Sequence, residues 1–139
     1  MDATLQQLRI IWGALLTSMV LYLFLGERLP HTSREVSKTL FEGFALIYVS
    51  VTVAIFAIRI AIISKATGKL AAESEDAGAL AQWRFGHIIV FALCESIALF
   101  GFVLRFSGST LPQAGVFYLA GLVLMVFLMP RRPVQSLGE

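Results

Sequence analysis

One cysteine, four prolines and two histidines are all that this chain of 139 residues offers for stapling, kinking or metal ligation. Cys94 cannot form an intrachain disulfide, and its place inside an apolar run argues for a small packing residue rather than zinc or redox chemistry. His31 lies between the first two apolar runs and His87 at the edge of the third. They cannot share a haem or metal within one monomer, so no cofactor and no metal are expected. Charge is equally scarce, with 14% charged residues and a formal net charge of +2. There is no basic run of the kind that binds nucleic acid. No nucleophile and base pair, ligand set or phosphate loop occurs, and little chain is left for a soluble catalytic module, so an enzyme is not expected.

Apolar sequence is what the chain has. It is 58% hydrophobic with mean hydropathy +0.81, far from the balance of a soluble domain. A bilayer span needs about 20 mostly apolar residues, and four runs qualify or nearly do, at 8–26, 41–64, 85–104 and 111–129. They predict an all-α integral membrane protein, a single membrane domain over 1–139 with four transmembrane helices at about 8–26, 33–64, 76–105 and 111–129. The first run is too long for a signal-peptide core and has no small-residue cleavage site behind it, so it reads as an uncleaved helix. Thr32 with Glu35 has capping-box form ahead of the second helix, and Thr67-Gly68 offers it a stop. Ser74, Glu75 and Asp76 offer an acidic restart for the third. Ser109 or Thr110 would cap the fourth, with Pro112 in its first turn and Pro130 at its end.

Orientation follows from the basic residues flanking the runs. With the N-terminus inside, Arg9, Arg59, Lys65, Lys69, Arg84, Arg131 and Arg132 collect on the inner side, against Arg28, Arg34, Lys38 and Arg105 outside. This predicts both termini in the cytoplasm and residence in the plasma (inner) membrane. Trp12 and Trp83 then fall at the inner interface, where indoles anchor. The polar inner loop 65–84 would be the docking surface for a partner or, more simply, a solvated cap cluster.

Residues 9–25 align on 87–103 at a constant offset, which matches Ala14 with Ala92 and Ser18 with Ser96 among many aliphatic pairs. Gly43 with Gly115 and Arg59 with Arg131 extend the match more weakly. Both copies start on the same side, so the expected architecture is a parallel repeat of two helical hairpins. In this register Thr17 occupies the position of Glu95.

Glu95 is the one carboxylate in the middle of a membrane-length run, where a charged residue costs roughly 2.5–3.5 kcal/mol unless paired, protonated or wetted. It shares a face of the third helix with Arg84, His87, Cys94, Ala98, Gly101 and Arg105, while Ile89, Leu93, Phe100 and Leu104 cover the opposite side. The first face is expected against protein and the second against lipid. Candidate partners for the acid are Arg59, about one turn inside the membrane on the second helix, and Thr17; hydrogen bonds from Thr17 or Ser96 to a neutral Glu95 are the alternative to an ion pair. Glu95, Arg59 and Thr17 are therefore the candidate ion- or proton-binding residues.

The stretch ESIALFGFV, residues 95–103, resembles the carboxylate-bearing helix of the rotor-ring proteolipids of ATP synthases and vacuolar-type ATPases, through Glu95, Ser96, Ala98, Phe100 and Gly101. The resemblance implies a reversibly protonated or sodium-binding Glu95, and two hairpins of which one keeps its acid are similar to the duplicated vacuolar-type proteolipid. It covers only part of one helix; the glycine-rich packing helix of that family is absent, and the acid sits on the first helix of its hairpin. Three roles remain open at this point: a proton- or cation-binding subunit of a homo-oligomer or larger membrane complex, a non-catalytic accessory subunit among other membrane subunits, and a small proton-coupled exporter.

Overall fold

The computed structural model describes residues 2–29, 37–73 and 75–131. Among these residues the chain is wholly helical. Helix α1 is Asp2–Arg28. Helix α2 is Lys38–Ala72, α-helical over Lys38–Ile58, π-helical over Arg59–Ser64 and α-helical again over Lys65–Ala72. Helix α3 is Ala77–Phe106 and α4 is Leu111–Phe127. The first three are long and apolar enough to cross a membrane; α4, at 17 residues, is apolar but shorter.

Each boundary has a local cause. Ser37 caps α2 by accepting from Leu40 N through Oγ, and Asp76 caps α3 by accepting from Gly78 N and Ala79 N. Helix α3 closes in a Schellman turn, with Ser109 N donating to Leu104 O and Gly108 N to Arg105 O. Gly108 takes the φ of 102° that this turn needs. Thr110 N donates to Gln113 Oε1 at the start of α4, so Thr110, not Ser109, is the cap. Helix α4 ends at Phe127, two residues short of the expected 129, because the ring of Pro130 excludes the helical conformation at the residue before it.

Two other ends move further. Helix α1 starts at Asp2, well before position 8, because Leu5 and Leu8 both point into the core. Helix α2 runs through Thr67-Gly68 to Ala72 where a stop was expected. Ala66 and Leu70 are completely buried there and hold the extra turns against α3, while Gly68 faces open space. The Thr32/Glu35 capping box, Arg34 and His31 lie outside the described residues, as do Ser74 and Arg132.

Helix α3 is the hub of the packing. It lies antiparallel to α4 along most of its length, in parallel with α1, and antiparallel to α2; α1 and α2 share at most a marginal contact. The α3–α4 seam is made by small residues. A methyl group added at Gly101 would lie 3.0 Å from Ala114 O, and one at Gly121 2.9 Å from Cys94 O. Backbones at that separation gain dispersion contacts that larger residues would forbid.

The face of α3 expected against lipid proves otherwise. Leu104 is fully buried, and Ile89, Leu93 and Phe100 are half-buried, with Phe100 packed on Phe44 of α2. Three neighbouring helices cover more of α3 than a single polar face could mark. Its outward stripe instead runs through Phe85, Ala92, Leu99, Val103 and Phe106. Trp83, expected at the inner interface, is likewise covered by protein: it is 1% exposed and its ring is tilted against that of His87 with centroids 4.6 Å apart.

Candidate functional site

The parallel packing of α1 on α3 sets up the site. On α1, Ser18, Tyr22 and Gly26 follow at intervals of four and so form one ladder on a single face. That ladder meets α3 at Glu95. Ser18 Oγ donates to Glu95 Oε1 at 2.7 Å and Tyr22 OH donates to the same oxygen at 3.0 Å. Both hydroxyls converge on Oε1, and Oε2 accepts from no described residue. The carboxyl is half-buried at the edge of the bundle, with Ala14, Leu21 and Leu25 of α1 and Ala92 and Leu99 of α3 exposed around it.

The seam continues toward the C-terminal ends of α1 and α3. Tyr118 OH of α4 donates to the backbone oxygen of Tyr22 at 3.4 Å. A side chain at Gly26 would collide with that phenol, since a methyl group there lies 2.8 Å from Tyr118 OH. Beyond it Arg105 Nε donates to Glu27 Oε1 at 2.8 Å, Nη2 to Glu27 Oε2 at 3.4 Å and Nη1 to Ser109 O at 2.8 Å. Toward the opposite end Trp12 Nε1 donates to Met125 O at 2.8 Å, which ties α1 to α4 there. Helix α1 is thus fastened to its neighbours on both sides of the Ser18–Tyr22 ladder, which fixes the level at which that ladder meets Glu95.

Of the three residues expected together, only Glu95 is in this site. Thr17 is exposed and its hydroxyl donates back to Gly13 O at 2.9 Å. Ser96 is likewise spent on Ala92 O. Arg59 makes no ion pair with Glu95 among the described residues. The reason is register: Phe44 packs against Phe100 and Ile63 abuts Gly86, which sets Arg59 level with His87. At 1.5 Å per residue, that is about 12 Å along α3 from Glu95. The partners of the acid are instead Ser18 and Tyr22, 77 and 73 residues before it, which no motif in the sequence marks.

The chemistry open to this arrangement is narrow. A proton on Oε2 would leave both hydrogen bonds to Oε1 in place, because a protonated carboxyl keeps its carbonyl oxygen as acceptor. The two carboxyl oxygens with the Ser18 and Tyr22 hydroxyls, four oxygens in all, could face a small cation. Among the described residues no group of three or more His, Cys, Asp or Glu side chains is placed to hold a metal ion. No protein-family model matches the chain, and no curated protein or solved structure matches it either.

Proposed function

We propose that this chain is a four-span integral membrane protein, both termini cytoplasmic, that works in an oligomer or larger membrane complex as a subunit whose Glu95 takes up and releases a proton or small cation. The observation that carries this is the asymmetry of the carboxyl: Oε1 is held by two hydroxyls while Oε2 accepts from no described residue, on a side chain that is only half-buried. A group fixed in this way is positioned yet exchangeable, as the resemblance to rotor-ring proteolipids implies for its role. The in-register, parallel contact of α1 with α3 also supports the proposed parallel repeat, since it puts equivalent helices of the two hairpins side by side. Arg59 and Thr17 have no part in the site.

Oε2, which accepts from no described residue, supports a second reading, an accessory subunit in which that oxygen accepts from a partner helix. Carbodiimide labelling of the protein in its native membrane separates the two. A proton site reacts with a reagent specific for protonated, membrane-buried carboxyls, and Glu95→Gln abolishes the labelling. A carboxyl masked by a partner resists it until the complex is dissolved in detergent. Resistance in both states would sink the proton-site reading.

A further inference from the structure

On the flank of α3 away from α1, a second feature is built from residues that Glu95 does not use. An open cavity of about 640 Å³ lies between the second half of α2, the start of α3 and the end of α4. Arg59 enters it from the π-helical stretch of α2 and Arg131 from the end of α4, with Thr67, His87, Phe127 and Met129 among its walls. Among the described residues no carboxylate lines it, and neither arginine is paired with one. Two guanidinium groups lining one cavity without a counter-ion give it a positive potential that suits an anion. The buried His87 has Nδ1 at 2.9 Å from Trp83 O, which leaves Nε2 as its free ring nitrogen in the cavity wall.

The remaining lining narrows the chemistry of that anion. Phe127, 74% exposed, and Met129 carry an apolar surface outward from the basic end. An anion with an apolar tail fits both halves; inorganic phosphate would fit one. The planar fork of Arg matches phosphate oxygens two at a time. The π-helical stretch places Arg59 here, and wide turns of this type are frequent at functional sites. With Lys65, Lys69 and Arg84 exposed at the same end of the bundle, the level is that of the cytoplasmic headgroups, where basic pockets between helices take anionic lipid.

We infer that this cavity is a binding site for the phosphate headgroup of an anionic phospholipid, held between Arg59 and Arg131 with an acyl chain along Phe127 and Met129. The inference rests on the four-span reading but not on the role of Glu95. It is tested with the full chain in detergent, by native mass spectrometry of the complexes formed with cardiolipin and with phosphatidylcholine of the same acyl chains. At about fivefold per arginine near a membrane surface, cardiolipin should be retained about 25-fold more tightly. Arg59→Gln with Arg131→Gln should remove that preference. Arg9→Gln with Lys38→Gln, an equal loss of charge elsewhere, should keep it, as should Glu95→Gln. An undiminished preference in the first pair, or equal retention of both lipids by the unaltered chain, overturns the site. Displacement of cardiolipin by millimolar inorganic phosphate, with no dependence of affinity on acyl-chain length, would make it a free-anion site and overturn the lipid assignment. Flotation of the unaltered chain with phosphatidylcholine vesicles reports membrane residence separately, and failure there overturns the four-span reading and this inference with it.

Discussion

Two hydroxyls on one oxygen make Ser18, Tyr22 and Glu95 a unit rather than two pairs. Hydrogen bonds between membrane helices contribute about 0.6 kcal/mol on average, and donors sharing an acceptor do not add independently. Ser18→Ala and Tyr22→Phe are therefore each expected to cost about 0.5–1.5 kcal/mol in reversible unfolding from mixed micelles. The double variant should depart from the sum by about 0.5 kcal/mol or more, and strict additivity would show that the hydroxyls do not share their acceptor. Since Arg59 does not pair with Glu95, Glu95→Gln strands no charge. Its amide oxygen can take both hydroxyl protons, so the loss should stay within about 1 kcal/mol, whereas Glu95→Leu leaves two donors without an acceptor, at about 1–3 kcal/mol each. A loss in Glu95→Gln as large as that in Glu95→Leu would mean that the charge itself, not the acceptor, holds α1 in place.

Among the helices, the α3–α4 seam is where packing has least slack. Alanine at Gly101 or Gly121 sets a methyl group against backbone atoms of the facing helix, which cannot swing aside as a side-chain tip can. Overpacking of this kind costs about 1–3 kcal/mol. At Gly43 and Gly115 a methyl group would meet nothing within 4 Å, so alanine there should be neutral or stabilising by up to about 1 kcal/mol through helix propensity. Thermal unfolding of the four variants in one detergent checks the contrast; equal effects at all four positions would remove the seam from the account. The sequence pattern foretold this only in part. Cys94, Ala98 and Gly101 lie on the α3 face expected against protein and do meet α4, at Gly121 and Ala114, but Arg84 on the same face is exposed. Spacing marks where a helix can approach another, and which partner arrives is decided by the rest of the bundle. For the same reason the wheel of α3 located its face against α4 but missed the coverage by α2. The extension of α2 past Gly68 was equally hidden, because burial of Ala66 and Leu70 outweighs the helix-breaking tendency of one exposed glycine.

At the scale of the molecule, both ends of the bundle are chemically distinct. One gathers Arg59, Lys65, Lys69, Arg84 and Arg131, and the other Arg28, Lys38 and Arg105. The bias of basic residues toward the cytoplasm predicts that the first of these faces inward. On a Cys94→Ala background, Glu75→Cys should react with an impermeant maleimide only after the cells are opened, and Lys38→Cys should react in intact cells; the reverse pattern would invert the orientation. The acid itself was legible in the sequence, as was the helical class, because a lone carboxylate in an apolar run of that length is visible without coordinates. Its hydroxyl partners were not, because they lie 73 and 77 residues away and depend on how α1 settles on α3.

That settling has a consequence for synthesis. Helices α1 and α2 leave the ribosome first, yet they rest on opposite flanks of an α3–α4 pair that does not yet exist. Roughly 55 residues separate the end of α2 from the end of α4, or roughly 3–11 s of elongation. In a bilayer, as proposed for this chain, the two early helices would persist through that interval on their own apolarity, without tertiary support. Their composition suits the wait: hardly any of the apolar window of α2 is buried in the finished bundle, and little of that of α1, whereas nearly half of that of α3 is. The last helix to arrive completes the fold, so a chain truncated before α4 would be inserted but unassembled, a natural target for membrane quality control.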